Sequence, residues 1–293
     1  PDGTFWMKQM RAGAKEIKEK TDGRVRFKFY PGGVMGNDES VMRKIRIRQL
    51  QGGAVTNGAL EKINPDVTIY GLPFVFSALD QSDRVRAETD KLLLQGLEKN
   101  GFVSFGIAKG GFTYMMSKYP IDSIEALRDR KPWVPEGNEV GYGVYRHAGI
   151  SPVSLPLSDV LTGLQTGLID TVITSPIGAL ALQWHTGIHY VVDLPLTYLV
   201  AAMVVDKKAF NKLSKADQAV VREVMGRVYH RIDEQNSIDS INARKALINQ
   251  GIKFISLSDE ELKRWYEIGE KVRQEMHEKH HFNKALYQQV TSH

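Results

Sequence analysis

The sequence predicts an α/β protein of two lobes, and three observations carry that reading. Extended apolar runs alternate with helical patterns along most of the chain, the mark of α/β architecture. A strand–helix–strand unit occurs at residues 25–57 and again at 153–176. The 293 residues point to about two domains at roughly 150 residues each.

The second copy of the unit is the clearer one. Pro152 and Val153 enter it in extended form, and Ser158 or Asp159 caps a helix by accepting its orphan N–H groups. Val160, Leu161 and Leu164 fall on one face, and Gly167 closes the helix in the left-handed conformation glycine tolerates. A strand over 168–173 then delivers Thr174 and Ser175 to a loop. In the first copy, a strand at Val25–Tyr30 leads through the loop Pro31–Gly36 to a cap at Asn37 or Asp38. Val41, Met42, Ile45 and Leu50 mark the helix. Leu50-Gln51-Gly52-Gly53 matches Leu164-Gln165-Thr166-Gly167, and Thr56-Asn57 occupies the place of Thr174-Ser175.

The remaining elements follow in order. A helix is expected over 4–21 with Phe5, Met10, Ala14 and Ile17 inward. Thr68–Phe76 reads as extended and Asp83–Asn100 as a helix stopped by Gly101. Phe102–Ala108 reads as a strand, Lys109–Phe112 as a flexible junction, and Tyr114–Ser117 as another strand. Short helices are expected at 121–130 and 138–149, with Pro132–Pro135 extended between them. Ile177–Thr186 reads as helical and Tyr190–Val205 as extended. Ser214 caps one long helix to Asn249, a strand follows at 252–257, and a last helix runs from Asp259 to His280. No Gly/Ser/Pro-rich linker separates the lobes, so the chain crosses between them more than once. The expected division is 1–121 with 207–251, and 122–206 with 252–293.

Composition narrows the function. With 42% apolar and 25% charged residues the chain has an ordinary globular make-up. Zero cysteine excludes disulfides, thiolate metal sites and cysteine nucleophiles. The net charge of +5 slightly favours anionic small molecules. The longest apolar stretch, Val191–Val205, contains Asp193 and Pro195 and falls short of the ~20 residues of a membrane span. Because the chain begins at Pro1 rather than Met, a secretory signal is expected to have been removed.

Several motifs point to chemistry that their surroundings do not support. His277-Glu278-Lys279-His280-His281 matches the spacing of a zinc-protease helix, but no acidic residue follows to complete the ligand set. His185 and His189 are interrupted by Gly187, so no metal is expected there. Pro31–Gly36 lacks the lysine of a phosphate loop, and Asp38 and Glu39 occupy its positively polarised helix start. The run Arg43, Lys44, Arg46 and Arg48 reads as a solvated helix face rather than a nucleic-acid surface. No nucleophile elbow or acid/base pair stands out. The chain therefore reads as a binding protein without cofactor, not as an enzyme. Trp133, Trp184 and Phe112 fall at predicted junctions, where a ligand cleft would be lined, although each taken alone is more often core.

Four stretches in a fixed order complete the reading: Phe29-Tyr30-Pro31-Gly32-Gly33-Val34-Met35-Gly36, Leu72-Pro73-Phe74-Val75-Phe76, Leu127 to Pro135, and Leu164 to Asp170. With them the chain resembles the DctP-type solute receptors of tripartite ATP-independent periplasmic (TRAP) transporters. The resemblance implies a two-lobed periplasmic-binding-protein-like fold, a ligand cleft between the lobes and a long lobe-spanning helix. It implies a periplasmic receptor that captures a small organic acid and engages TRAP membrane subunits transiently. The family's third stretch usually carries an arginine that forks onto the ligand carboxylate, and here that position is Trp133. Trp133 is therefore expected to stack on the ligand, with Trp184 and Phe112 as apolar walls. Thr56, Asn57, Thr174 and Ser175 are expected to supply hydrogen bonds, and Lys109 or Arg146 to replace the lost cation. The alternatives are a neutral or aromatic solute, a metal-bridged anion, or an enzyme on the same scaffold.

Overall fold

The computed structural model describes residues 3–292; Pro1, on which the expectation of a removed leader rests, lies outside them. Local capping chemistry sets most element boundaries. Helix α1 (Phe5–Lys20) starts where the Thr4 hydroxyl accepts the Met7 N–H at 3.3 Å. Helix α2 (Asp38–Arg46) starts where the Asn37 side chain accepts from Ser40. Strand β1 (Gly52–Thr56) runs directly into α3 (Asn57–Ile63). After α4 (Leu79–Lys99) come β2 (Phe102–Ser104) and the ten-residue β3 (Ala108–Ser117).

The chain continues through α5 (Ile124–Arg128), β4 (Trp133–Val134), α6 (Glu139–His147), β5 (Val153–Ser154) and α7 (Val160–Thr166). Then follow β6 (Thr171–Thr174), α8 (Pro176–Ala181), β7 (Tyr190–Val192), β8 (Thr197–Asp206) and α9 (Lys207–Phe210). Helix α10 (Lys215–Asn249) is the long one, opened by Ser214 accepting from Asp217 at 3.1 Å. Strand β9 (Lys253–Ile255), α11 (Asp259–His280) and α12 (Lys284–Thr291) close the fold.

These elements form two compact units. Unit 1 holds the segment through Val67 together with Arg84–Lys109 and Val200–Asn236. Unit 2 holds Thr68–Asp83, Gly110–Leu199 and the segment from Ser237 onward. The chain passes from one unit to the other within the 3-10 turn at 65–71, α4, β3, β8 and α10. The mixed α/β character is as expected.

In unit 1, β8 is flanked by antiparallel β1, from Gly52↔Val205 to Thr56↔Ala201, and by antiparallel β2, from Phe102↔Asp206 to Ser104↔Val204. Its core gathers Met10, Ile17, Val103, Phe105, Met203, Phe210 and the α10 residues Val224, Met225 and Val228. Helix α1 approaches α10 closely, since a Cβ on Gly13 would stand 2.7 Å from Val228 Cγ2. Val25–Tyr30 forms no strand, Val25 lying in a bend and 26–30 having no regular structure. Its Phe27 and Phe29 stack on each other, with ring centres 5.9 Å apart, and pack on this core instead.

In unit 2, β3 runs antiparallel to β6, from Tyr114↔Thr174 to Ser117↔Thr171, and to β7, while β7 is parallel to β9. The supposed junction Lys109–Phe112 is thus continuous strand. The two Leu-Gln-x-Gly stretches are also not equivalent: Gly167 ends α7 at φ +74°, whereas Gly52 and Gly53 begin β1, and α2 ends earlier, at Arg46, with Arg48 at φ +62° just beyond it. Residues 65–71 form a 3-10 turn rather than an extended run, and Gln183, φ +59°, breaks the expected helix 177–186.

Asp170 ties the strands of unit 2 together. Its carboxylate accepts the Lys131 N–H at 2.8 Å and the Thr171 hydroxyl at 2.9 Å. Its own N–H donates to Lys131 O, and its carbonyl accepts from Lys118 N and Ser117 Oγ. A buried carboxylate is stable only when its oxygens are bonded in this way. Asp170→Ala should orphan the Lys131 N–H and lower stability by about 2–3 kcal/mol in urea unfolding.

The start of α11 is held to α5 by charge. Glu261 accepts the Ile124 N–H at 3.0 Å, and Arg264 bonds both Glu125 oxygens, at 2.8 and 2.6 Å. The hydrogen bond from Arg264 pulls the exposed Glu125 carboxyl down to about 2. Because the folded value is depressed, this contribution is complete above the ordinary value of 4.5 and is lost as pH falls toward 2. The melting temperature should fall across that window, and Arg264→Gln should make the fall shallower.

Candidate functional site

In unit 1 the expected residues are held by main-chain ladders and by carboxylates. Thr56 ends β1, and its N–H and hydroxyl both donate to Asp38, at 2.8 and 2.7 Å. Asn57 extends the β1–β8 ladder by one rung, its side-chain oxygen accepting the Val200 N–H at 3.0 Å. Lys109, only 4% exposed, donates its N–H to Asp233 Oδ1 at 2.6 Å and accepts from Asn236 on its carbonyl. Its ammonium stands 3.9 Å from Asp233 Oδ2.

The same Asp233 takes Arg86 Nη1 at 3.0 Å. Arg86 is itself 4% exposed, bonds Asp90 through Nε and Nη2, and donates to Ile107 O. Arg86 and Lys109 thus stand beside the carboxylates Asp90 and Asp233.

In unit 2 the structure brings Phe112, Thr174 and Ser175 around the middle of β3. Phe112 meets Tyr198 edge-on with ring centres 5.2 Å apart, Tyr198 meets Phe76 at 5.2 Å, and Phe76 meets Tyr70 at 5.6 Å. This aromatic row anchors the Leu72–Phe76 stretch. The Phe74 N–H donates to Leu196 O, and Arg273 bonds Pro73 O at 2.7 Å. Thr113 and Thr197 share a hydroxyl hydrogen bond of 2.6 Å. Ser175 caps α8 by accepting the Gly178 N–H. Thr174 lies opposite Tyr114.

Tyr114 reaches a cation that the sequence reading missed. Burial pushes its hydroxyl above the usual range, and the charge of nearby Arg244 opposes that rise. Arg244 also forks onto Asp193 with two bonds of 2.8 Å and lies 4.0 Å from the centre of the Phe254 ring. Neither Arg244 nor Asp233 carries a local signal. Asp193 lies 51 residues from Arg244, and Asp233 lies 124 from Lys109.

The two tryptophans sit in the core of unit 2. Trp133 is 3% exposed and its Nε1–H donates to Leu155 O at 2.9 Å. It meets Trp184 edge-on at 5.2 Å, among Met116, Leu164 and Ile188. Its single donor is thus used inside the protein. Arg146 lies elsewhere. It pairs with Glu275 on α11, which also receives His147 at 3.1 Å, and Glu139 binds Lys279 and His280 further along the same two helices.

Two open depressions of about 390 and 330 Å³ lie along α11, bordered among others by Tyr266, Glu270, Arg273 and Tyr287, and neither includes an expected site residue. Among the described residues no group of three or more His, Asp or Glu side chains is placed to hold a metal ion. His277, from the zinc-like stretch, stacks on Tyr287 with ring centres 4.2 Å apart. No described helix is long and apolar enough to cross a membrane.

The decisive comparison is with a family. The profile of the bacterial extracellular solute-binding proteins, family 7 (DctP), matches residues 1–280. The chain belongs to this family. The uncharacterized protein YiiZ of Salmonella typhimurium is 26% identical over 159 residues, which are 53% of this DctP-family chain. The match spans about half of that relative's length, 48%.

Among solved structures, a TRAP periplasmic solute-binding protein from Sulfitobacter with bound β-D-galacturonate superposes with a TM-score of 0.88 at 18% identity. The match covers 100% of this chain and 97% of that one. An extracytoplasmic solute receptor from Bordetella pertussis that binds pyroglutamic acid gives 0.86 at 21% identity, covering 100% and 95%. These likenesses show the two-lobed fold.

Trp133→Phe tests where the indole works. It removes the bond to Leu155 O and thins the core, so stability should fall by about 1–3 kcal/mol in urea unfolding. A variant as stable as the parent would contradict the core placement.

Proposed function

We propose that this DctP-family chain is the extracytoplasmic receptor of a TRAP transporter, working in the periplasm and delivering a small organic acid to the membrane subunits. The family match over residues 1–280 carries the reading. The carboxylates named for the two similar receptors, galacturonate and pyroglutamic acid, support the ligand class.

The ligand-proximal segment is strand β3 from Lys109 to Tyr114. Phe112 supplies an apolar wall beside Tyr198, and Thr174 and Ser175, at the end of the neighbouring strand, supply hydroxyls. Thr56 and Asn57 are the corresponding polar groups at the end of β1. Trp133 and Trp184 act from behind, as packing that fixes β4 and β6. Lys109 is the cation for the ligand carboxylate. Arg146, committed to Glu275 on α6 and α11, is not.

One observation favours a second reading, a neutral solute. Lys109, Arg244 and Arg146 each have a carboxylate of the chain beside them, and the resemblance implies that the family's arginine is replaced by Trp133. A ligand shifts a protein only toward the state it binds better, and a carboxylate gains little from cations already neutralised.

Calorimetric titration with D-galacturonate, pyroglutamate and neutral D-galactose separates the two readings. The organic-acid reading expects binding of a carboxylate that weakens with added salt. Binding of galactose alone, independent of salt, would establish the neutral reading. Loss of binding on adding a chelator would show a metal-bridged anion, and conversion of the solute would show an enzyme.

A further inference from the structure

Arg273 on α11 is held differently from the arginines paired elsewhere in the fold. Arg24, Arg227, Arg244 and Arg264 each bond a carboxylate, which holds each guanidinium above its ordinary value. Arg273 instead donates Nη1 to the Pro73 carbonyl at 2.7 Å, and among the described residues no carboxylate lies within ion-pair distance of it. Burial therefore pushes Arg273 below its usual range, and the charges of Tyr287 and Glu270 offset this only in part. The carbonyl that holds it is itself fixed. Phe74 takes φ +59°, and its ring leaves no room for a Cβ at Gly269. That bond uses a single N–H of the guanidinium fork.

Arg273 borders both depressions along α11 and shares the one of about 330 Å³ with Tyr287 of α12. His277 lies on the Tyr287 ring, 4.2 Å between centres and within 7° of parallel, which fixes the line of the Tyr287 hydroxyl. Burial raises that hydroxyl, the charge of Arg273 opposes the rise, and among the described residues it has no hydrogen-bond partner. We propose that this depression is a second binding site, for a small monocarboxylate whose oxygens are taken by the unused N–H groups of Arg273 and by the Tyr287 hydroxyl. The site is separate from β3 and from the ends of β1 and β6, and it does not rest on the receptor reading. A carboxylate supplies what the depression lacks, a negative charge beside a half-buried cation and an acceptor for the phenol. Bonds between such charged partners are roughly twice as strong as neutral ones. Glu270 and Glu278 border the same depression, so a dianion would meet like charge there and a single negative charge is favoured.

The Nε signal of Arg273 in ¹⁵N-arginine-labelled protein, assigned by its loss in Arg273→Lys, reads the site directly. Benzoate, neutral benzamide and the phosphate dianion are the probes. Benzoate should move the signal saturably, benzamide should leave it in place, and phosphate should bind more weakly than benzoate. Tyr287→Phe keeps the ring on His277 and removes only the hydroxyl. It should weaken benzoate on the order of tenfold and leave the melting temperature unchanged.

An Arg273 signal that benzoate leaves unmoved overturns the proposal, and so does equal binding of benzamide or of phosphate. Equal benzoate affinity in Tyr287→Phe overturns it as well. Heat of benzoate binding without movement of the Arg273 signal places the ligand elsewhere; that result refutes this site and leaves the receptor reading standing. The titration of the parent protein decides the matter whether or not the variant folds.

Discussion

Much of unit 2 depends on one buried carboxylate. Asp170 joins the Lys131 main chain before β4, the Ser117 and Lys118 end of β3 and the start of β6 through its carboxylate Oδ1, its N–H and its carbonyl. Two residues beyond Lys131 stands Trp133, and four beyond Asp170 stands Thr174. The placement of the tryptophan core and of the hydroxyls at the end of β6 is thus fixed by the same group. This gives the Leu-x-x-Gly-x-x-Asp stretch a physical meaning: Gly167 ends α7 in the left-handed conformation so that the chain can turn and bring Asp170 back under Lys131. The Lys131 ammonium reinforces the turn by bonding Gly167 O at 3.1 Å.

The second constraint is electrical. Cations at positions that matter are each matched within the chain, Arg86 and Lys109 by Asp90 and Asp233, and Arg244 by Asp193. Arg86, at 4% exposure, could not be left alone in so little solvent. A receptor built this way remains intact without ligand.

Local chemistry was the legible part of this sequence. The caps at Asn37, Ser123 and Ser214 and the stops at Gly149, Gly167 and Gly251 stand where residue type requires, because each acts within a few residues of itself. The α/β alternation and the long α10 followed from periodicity in the same way. Partners distant in the chain were not legible. No local pattern announces that Asp233 meets Lys109, or that Val25–Tyr30 spends its aromatic rings on a core rather than on a ladder. Trp133 shows the limit most clearly. Its expected place on the ligand rested on the family resemblance, and a flat apolar ring with one donor is satisfied as well by a core and the Leu155 carbonyl as by a ligand.

Mass spectrometry of the solute released from the chain, purified under native conditions from cells that carry its transporter, tests the central claim most directly. The account predicts an intact small molecule bearing a carboxylate, recovered in proportion to protein. Recovery of an uncharged solute in that proportion would contradict it, and would assign the paired cations to the fold alone.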